Sequence, residues 1–354
     1  MPEQLPYNLI PTDPDLSQTN TETRESEHLL RLEALSEKLQ LKVQWESQVK
    51  TLNETGVIDI LLDCQDIGVL GVDPHDSTKI KEYPISTYEE ILSKITPEQL
   101  KVLETKQEQG FTKMLLVPIG AHLETLIDRY KQLLIKKHQE GKLLATDGSS
   151  LELKKDDNDS TKFDPVYVWD DIKNADTDGR LIYYPEQFDK DNHQGFVKSE
   201  LISGKANNHQ HQLRLDKLKS TNGWQILFIE DNPDLPAQNQ GKTLNERKQL
   251  EANQTPIDYL NQLQTDPQYT HEQGLTLESW LIYAITQLQE TNQQIDDWRS
   301  KGKACWLTGS YLAGKVLRYY WSRDNRRADL YGDFPDFSYG DCGSRPVVML
   351  PQTN

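Results

Sequence analysis

The sequence predicts an α+β fold, and three features of the chain beyond residue 110 support that prediction. The run "FTKMLLVPIG" at residues 111–120 has the composition of a short apolar strand, and residues 121–142 after it carry apolar side chains at helical spacing. A second amphipathic helix is predicted at residues 275–298. Short strand-like runs and long polar segments fill the remainder. Two helices combined with many short strands and long loops are typical of the α+β class.

Each predicted helix has one apolar face, and each predicted strand is short. The buried face of the first helix is predicted to contain Leu123, Leu126, Ile127, Tyr130, Leu133 and Leu134. The buried face of the second is predicted to contain Leu277, Leu281, Ala284, Ile285 and Leu288, with Thr276 as its N-cap. The predicted strands are "PVYVW", "LIYYP", "GWQILFIED", "ACWLT", "VLRYYW" and "RPVVML".

Composition divides the chain into three parts. Residues 1–21 are rich in Pro, Asp, Thr and Asn and contain little that could be buried, which predicts a flexible arm. Residues 22–109 are predicted to be a helical accessory region, because Leu32, Leu35 and Leu39 lie at helical spacing between charged residues. The change of character at residue 110 predicts that residues 110–354 form the main domain.

The chain is strongly acidic, with a formal net charge of −17 at pH 7. Nucleic acids are bound through clusters of Lys and Arg, so this charge balance argues against a nucleic-acid partner. No run approaches the roughly 18 apolar residues that a membrane span requires, and the first residues do not resemble a signal peptide. We therefore expect, by default, a cytoplasmic protein without membrane insertion, with display at a surface as the alternative that the sequence leaves open. Cys64, Cys305 and Cys342 are far apart and odd in number, which predicts reduced thiols.

The stretch "GSYLAGKV" at residues 309–316 has the spacing of a phosphate-binding loop, with Gly309 preceding Gly314 and Lys315. Such a loop needs Ser or Thr after the lysine, and this chain has Val316 there. The loop must also open a helix, whereas the following "VLRYYW" is β-branched and aromatic. The sequence therefore predicts a glycine-containing turn between two strands and no nucleotide cofactor.

Residues 174–186, "NADTDGRLIYYPE", match the first half of a calcium-binding loop through Asn174, Asp176, Asp178 and Gly179. The bidentate glutamate that closes such a loop is replaced by Pro185, and no helix is predicted on either side. We therefore expect a turn between strands at this position, without a metal.

The sequence shows no recognisable metal site at the histidines and no recognisable catalytic site at the serine or cysteine residues. His209 and His211 in "NNHQHQ" are clustered, but the sequence places no further metal ligand near them, so we expect a solvated loop. No "GxSxG" motif is present, and no cysteine is placed beside a histidine as nucleophile and base. The sequence therefore predicts no catalytic residue, no metal and no cofactor, and we expect that the protein is not an enzyme.

The last part of the chain has an unusual composition. Lys, Glu and Gln are frequent up to residue 315, but residues 316–348 contain none of them and no Met. Tyr, Asp, Ser, Asn, Arg, Phe and Gly stand there instead, although earlier loops of the same chain are rich in Lys, Glu and Gln. Codons for Lys, Glu, Gln and Met all end in a purine, so mutation of adenines in AAC-type codons yields the observed residues and none of those four. The composition therefore indicates a segment rewritten by adenine mutagenesis.

Two segments of the tail, "GSYLAGKVLRYYWSRDNRRADL" and "DFPDFSYGDCGSRPVVML", resemble the variable proteins of diversity-generating retroelements. Upstream, "PVYVWDDIKNADTDGRLIYYP", "GWQILFIED" and "ERKQLEANQTPIDYLNQLQ" are similar to the long form of that family, and the resemblance spans about residues 110–354. It implies a C-type lectin fold of the formylglycine-generating-enzyme type for residues 110–354, and a ligand-binding display protein. It also implies that reverse transcription with adenine mutagenesis rewrites the variable region, about residues 316–348.

The resemblance divides the tail into displayed and scaffold positions. The ligand-binding positions that it implies are Tyr319, Ser322, Asp324, Asn325, Asp329, Tyr331, Asp333, Phe334, Asp336, Phe337, Ser338, Tyr339, Asp341 and Cys342. The scaffold positions that it implies are Tyr320, Trp321, Arg323, Arg327, Ala328, Leu330, Gly343, Arg345, Val347 and Val348. Tyr with Ser, Asn, Asp and Gly is also the composition of antibody binding loops. Five aspartates among the displayed positions predict a protein or surface ligand that carries basic groups.

Two other functions remain open on the sequence. The same fold could serve as a structural component or adhesin of a phage or cell surface, in which the helices of residues 22–109 mediate oligomer contacts. An oxidase of the formylglycine-generating type would require a close pair of copper-binding cysteines, for which Cys305 and Cys342 are the candidates.

Overall fold

The computed structural model describes residues 15–62, 66–298 and 302–350. Within these ranges the protein is a mixed α+β structure, which agrees with the predicted fold class. Cys64 and residues 1–14 of the predicted arm lie outside the described ranges. Residues 15–21 of that arm are helical, and this part of the segment contains neither Pro nor Gly to interrupt a helix.

The region predicted to be helical, residues 22–109, contains an antiparallel sheet as well as helices. The purely helical prediction is wrong because the alternation of polar and apolar residues in "TKIKEYP" and the glycine-containing "IGVLGVD" indicate a hairpin. The sheet has the strand order β1-β2-β3. The elements are α1 (Asp15–Leu39), α2 (Leu41–Glu54), β1 (Asp59–Ile60), β2 (Ile67–Asp73), β3 (Asp76–Pro84), α3 (Tyr88–Ser93) and α4 (Pro97–Glu108).

The chain from residue 110 onward begins with the predicted strand and helix. Its helices and strands, in chain order, are β4 (Phe111–Val117), α5 (Leu123–Gln139), β5 (Val166–Val168), β6 (Leu181–Tyr183), α6 (Lys198–Ser203), α7 (His209–Leu215), β7 (Gln225–Glu230), β8 (Thr243–Leu244), β9 (Arg247–Lys248), α8 (Pro256–Thr265), β10 (Glu272–Gly274), α9 (Leu277–Thr291), β11 (Ala304–Leu312), β12 (Lys315–Ser322), β13 (Arg327–Asp333), β14 (Cys342–Ser344) and β15 (Pro346–Met349).

The prediction of a solvated loop around the two clustered histidines is wrong, because His209 and His211 lie in helix α7. Asn208 starts this helix by accepting a hydrogen bond from the backbone N–H of His211 on its side-chain oxygen, at 2.9 Å. The His211 ring packs against Phe196 with 4.2 Å between ring centroids. This histidine therefore has a packing role on the protein's own surface.

The two long helices of this part pack beside a four-stranded antiparallel sheet with the order β10-β15-β7-β4. Helix α9 contacts α2, α5, β4 and β11, so protein surrounds it on several sides. Every side chain predicted for the buried faces of α5 and α9 is buried. The Thr276 side chain accepts a hydrogen bond from the Ser279 backbone N–H, as predicted for an N-cap. The two helices and their predicted buried side chains are confirmed, but α9 ends at Thr291 rather than at residue 298, and it is buried on all sides rather than amphipathic.

The larger sheet has the order β14-β11-β12-β13-β5, and β6 pairs with β11 as well. Strands β11, β12 and β13 form an antiparallel meander, whereas β14 and β5 run parallel to their neighbours. Ala313 and Gly314 connect β11 to β12 with φ values of 51° and 80°. Left-handed backbone at two successive residues is typical of a tight hairpin turn. The stretch that resembles a phosphate loop is therefore a turn between strands, as predicted.

One apolar core connects the N-terminal region to the rest of the protein. Leu32, Leu52 and Leu100 belong to the same buried cluster as Leu317 and Leu350. A second, smaller cluster lies on the other side of the six-stranded sheet and includes Tyr259, Trp306 and Val316. The six-stranded sheet is therefore covered on one face by the main core and only partly covered on the other.

Candidate functional site

Strands β12 and β13 present different side chains on their two faces. Leu317, Tyr319 and Trp321 lie in the main core, and the residues between them lie on the opposite face. We define the display face as the surface formed by Arg318, Tyr320, Arg327, Asp329, Tyr331 and Asp333, together with the turn at residues 323–326 and the loop at residues 334–341. In the strand register Arg318 pairs with Tyr331 and Tyr320 pairs with Asp329. The display face is thus a continuous surface built on one β-hairpin.

The turn between β12 and β13 carries Asp324 and Asn325, which are both exposed. Its backbone is fixed by a hydrogen bond from the Asn325 N–H to the Ser322 Oγ at 3.2 Å. The Asn325 side chain donates to the Asp329 Oδ2, also at 3.2 Å. The turn is therefore tied to the strands that it joins, and its exposed side chains have a defined position.

The centre of the display face is a guanidinium group surrounded by aromatic rings. The Arg318 guanidinium carbon lies 5.2 Å from the ring centroid of Trp306, 5.4 Å from Tyr320, 4.7 Å from Tyr331 and 4.4 Å from Tyr339. These distances are within the range of cation–π attraction. Arg318 is 8% exposed, so the rings largely cover it. This cluster fixes the positions of two aromatic residues predicted to bind ligand, Tyr331 and Tyr339.

The loop at residues 334–341 presents two phenylalanine rings to solvent. Phe334 is 49% exposed and Phe337 is 45% exposed, and their ring centroids are 5.6 Å apart. The Phe334 N–H donates to the Asp333 Oδ1 at 2.9 Å, and the Phe337 N–H donates to the Phe334 carbonyl oxygen at 3.2 Å. Because these bonds order the loop before any partner binds, the two rings form a preorganised apolar contact.

Ten of the fourteen predicted ligand-binding residues are exposed or half-buried on the display face. They come from the turn, from β13 and from the loop that follows it. These ten residues are Asp324, Asn325, Tyr331, Asp333, Phe334, Asp336, Phe337, Ser338, Tyr339 and Asp341.

Tyr319 is not displayed, which corrects the prediction for this position. It is 1% exposed and stacks on Trp280 with 3.5 Å between ring centroids. Its hydroxyl is 2.7 Å from the Tyr130 hydroxyl and accepts a hydrogen bond from Gln294 at 2.5 Å. The reason is strand alternation, because a shift of one residue moves a side chain to the other face. Tyr320, predicted as scaffold, is the tyrosine of this pair that lies on the display face.

Three further predicted positions are buried and do not offer their side chains to a ligand. Cys342 is fully buried in β14, where it pairs with Ala304. Ser322 is 2% exposed because its hydroxyl caps the turn. Asp329 is 4% exposed because it accepts hydrogen bonds from Arg327, at 3.1 Å, and from the turn. Cys342, Ser322 and Asp329 therefore contribute to the structure of this region without offering an accessible side chain.

Most predicted scaffold residues are interior. Trp321, Ala328, Leu330, Gly343, Arg345, Val347 and Val348 are buried. The two remaining arginines are half-buried and make ion pairs. Arg323 contacts the buried Asp297 at 2.8 Å, and Arg327 contacts Asp164 at 2.6 Å. The sequence analysis did not identify Arg318 or Trp298 as part of the site. Arg318 alternates with the buried Leu317 and Tyr319 along β12, and this alternation is the signal that could have placed it on the display face.

The acidic residues of the display face are largely used within the protein. Asp329 pairs with Arg327, and Asp333 lies 3.7 Å from Arg318 and accepts a hydrogen bond from the Tyr339 hydroxyl at 2.8 Å. Asp341 accepts a hydrogen bond from the Trp298 indole. Because internal partners already satisfy these three carboxylates, the acidic composition is a weaker indication of a basic ligand than the sequence alone suggested.

Tyr320 and Tyr339 of the display face keep their protons at neutral pH. Burial, with the nearby Asp329 carboxylate, raises the pKa of Tyr320 to about 12. Burial and the hydrogen bond to Asp333 also raise the pKa of Tyr339. Both hydroxyls therefore act as neutral hydrogen-bonding groups attached to large rings, which suits a contact surface.

The two described cysteines do not form the pair that an oxidase would need. Cys305 lies in the main core, whereas Cys342 lies in the second cluster on the other side of the sheet. The strand pairing places Cys305 beside Gly343 and Cys342 beside Ala304, so the two thiols point to opposite faces. Burial raises the pKa of both thiols, which disfavours the thiolate required for copper binding.

The carboxylates of the calcium-like stretch are occupied by protein groups. Asp176 is 4% exposed, and its Oδ2 accepts hydrogen bonds from the Lys198 ammonium at 2.7 Å and from the Leu123 N–H at 2.9 Å. Asp178 binds Arg180 at 2.8 Å. Across residues 15–62, 66–298 and 302–350, no group of three or more His, Cys, Asp or Glu side chains is placed to hold a metal ion.

Comparison with known proteins gives no match. No protein-family model matches the chain, and no curated protein or solved structure is significantly similar to it. Among the described residues, no helix combines the length and the apolar character needed to cross a membrane. The display face therefore has to be interpreted from its own geometry and chemistry.

Proposed function

We propose that this chain is a ligand-binding display protein without catalytic activity, whose exposed C-terminal residues are diversified by retroelement mutagenesis. One observation carries the proposal. The stretch that lacks Lys, Glu, Gln and Met folds into a hairpin and loop with its core residues on one side and Tyr, Phe, Asp, Asn and Ser on the other. Side chains on such a surface can be exchanged while the fold is retained, provided that the core side stays constant.

We also propose that residues 110–354 have a C-type lectin-like fold. The two long helices α5 and α9, the short antiparallel strands and the long connections agree with it. Strand β15, the last strand among the described residues, pairs with β7 and β10 and so ties the chain that follows the β12–β13 hairpin and its loop into the four-stranded sheet. A rigid scaffold that holds a surface loop in place supports a binding surface whose exposed residues vary.

The ligand class that fits the display face is the surface of another protein. Aromatic side chains are enriched at the centres of protein interfaces, because each ring buries a large area at a small loss of conformational entropy. Tyr320, Tyr331, Tyr339, Phe334 and Phe337 supply this chemistry here, in positions set by Arg318 and by the loop hydrogen bonds. An adhesin of a phage or cell surface would use the same face, and it remains the second candidate function on that ground.

The DNA that flanks the gene tests the proposed function. We expect a near-identical repeat of the segment that encodes residues 316–348, differing from it only at adenines, and a reverse-transcriptase gene nearby. We expect differences at the codons of exposed residues such as Asp324, Asn325 and Phe337, and identity at the codons of Tyr319 and Trp321. Absence of the repeat and of the reverse transcriptase, or differences concentrated at core codons, would contradict the proposal.

A further inference from the structure

We propose that a groove beside α4 binds a small amphipathic anion, with an aliphatic chain lying on the apolar floor and a carboxylate near Lys217. The groove is formed by α4, by the Lys217–Leu218 pair that follows α7, and by residues near β10 and β15. It is lined by none of the display-face residues. This proposal is therefore independent of the function proposed above.

The size and position of the groove suit a small molecule. Its volume is about 460 Å³, and a second cleft of about 340 Å³ adjoins it at Val102, Thr270 and His271. Small-molecule sites typically measure roughly 300–1,000 Å³ and often lie where two parts of a protein meet. Here α4 comes from the N-terminal region, and the other walls come from the chain beyond residue 110.

The floor of the groove is apolar. Leu103, Leu218, Met349 and Leu350 are each less than 9% exposed, and the half-buried Val102 lies beside them. These side chains come from three separate parts of the chain and converge on one surface. An aliphatic chain laid on this floor would be removed from water, which is the main favourable contribution to binding of an apolar group.

The charges around the groove favour an anion. Lys217 is exposed and makes no ion pair within the described residues, and the same holds for Lys101 in the adjoining cleft. Unpaired ammonium groups at a concave apolar surface are notable in a chain with a net charge of −17. Glu98 also lines the groove, but it lies in the first turn of α4, where the positive end of the helix dipole stabilises its negative charge.

His271 is a second unusual feature of this site. It lines both clefts, and its φ of 69° lies in the left-handed region, which is uncommon for a residue with a side chain. Because His271 lines both clefts, it lies where they meet, and it shares the groove with Lys217.

Calorimetric titration of the full chain with sodium octanoate and with octylammonium chloride tests the proposal. We expect saturable one-to-one binding of octanoate and binding of octylammonium that is about tenfold weaker. Lys217→Glu is expected to reverse this preference, since one attraction is lost and one repulsion is gained. Lys205→Glu, a matched change at an exposed lysine outside the groove, is expected to leave both affinities unchanged.

A second variant separates the apolar part of the proposal from the charged part. Val102→Trp would fill the groove and is expected to abolish binding of both compounds. The proposal is overturned if octanoate does not bind saturably to the unmodified chain, if the two compounds bind it equally, or if Lys217→Glu binds octanoate as well as the unmodified chain does. None of these outcomes bears on the display face, which the groove does not include.

Discussion

A chain that begins at residue 110 is expected to lose cooperative folding, although the sequence predicts a domain boundary there. Helix α2 contacts both β4 and α9, and the buried Gln48 side chain donates to the Thr286 hydroxyl at 3.2 Å. Leu52 and Leu100, both fully buried, contribute to the core of the remaining chain. Removal of these elements would expose apolar surface of β4 and α9 to water, at roughly 25 cal/mol for each Å².

The same deletion also removes one member of a buried charge network. Lys106 of α4 contacts Glu272 at 2.6 Å, and Glu272 in turn binds Arg247 through two hydrogen bonds of 2.7 and 2.8 Å. Loss of one member of a buried charge network is strongly destabilising. The N-terminal region is therefore an integral part of the fold rather than an accessory.

Thermal unfolding followed by near-ultraviolet circular dichroism measures this effect. The chain of residues 110–354 is expected to show no sharp transition and to bind a hydrophobic dye. A chain of residues 15–354, which keeps every contact described above, is the control and is expected to unfold with a sharp transition. A sharp transition and a monomeric state for residues 110–354 would show that the N-terminal region is dispensable.

Arg345→Met is expected to destabilise the protein by about 3–5 kcal/mol, the usual effect of removing one partner of a buried ion pair. Arg345 is 4% exposed and lies 2.8 Å from the fully buried Asp296. It also donates hydrogen bonds to the carbonyl oxygens of Asn232 and Pro233. Methionine would fill much of the space, but it would leave the Asp296 carboxylate buried without its cation.

Chemical denaturation of a matched set of variants tests this expectation. Arg326→Met changes an exposed arginine in the β12–β13 turn and is expected to alter the free energy of unfolding by less than about 0.5 kcal/mol. Asp296→Asn combined with Arg345→Met is expected to destabilise less than the sum of the two single changes, because neither charge then remains alone. Additive effects would mean that the pair does not interact in the way the geometry indicates.

The helices and the fold class could be predicted from sequence because they depend on local periodicity. The apolar positions of α5 and α9 recur at helical spacing over several turns, so their buried faces were identified residue by residue. The sheet of β1, β2 and β3 was missed although β3 has nine residues with alternating polar and apolar side chains, because two glycines interrupt the apolar pattern of its partner β2.

The candidate site could be predicted only in part, because each side chain's face depends on strand register. Tyr319 and Tyr320 are chemically identical neighbours, and only the pairing of β12 with β11 and β13 decides which one is buried. Asp329 pairs with Arg327, two residues before it on the same strand. Asp333 lies near Arg318 on the adjacent strand. Composition alone could not show that these carboxylates are already paired.

The measurement that most directly tests the central claim compares the effects of side-chain substitutions on the two faces of β12 and β13. One variant combines Asp324→Ser, Phe334→Ser, Asp336→Asn and Phe337→Ser on the display face, and the other carries the single change Tyr319→Ser in the core. The account predicts that the fourfold variant keeps its melting temperature within a few degrees. Tyr319→Ser is predicted to lose about 3–5 kcal/mol of stability, because it removes the stacking on Trp280 and leaves a cavity. Equal destabilisation of both variants, or tolerance of Tyr319→Ser, would contradict the account.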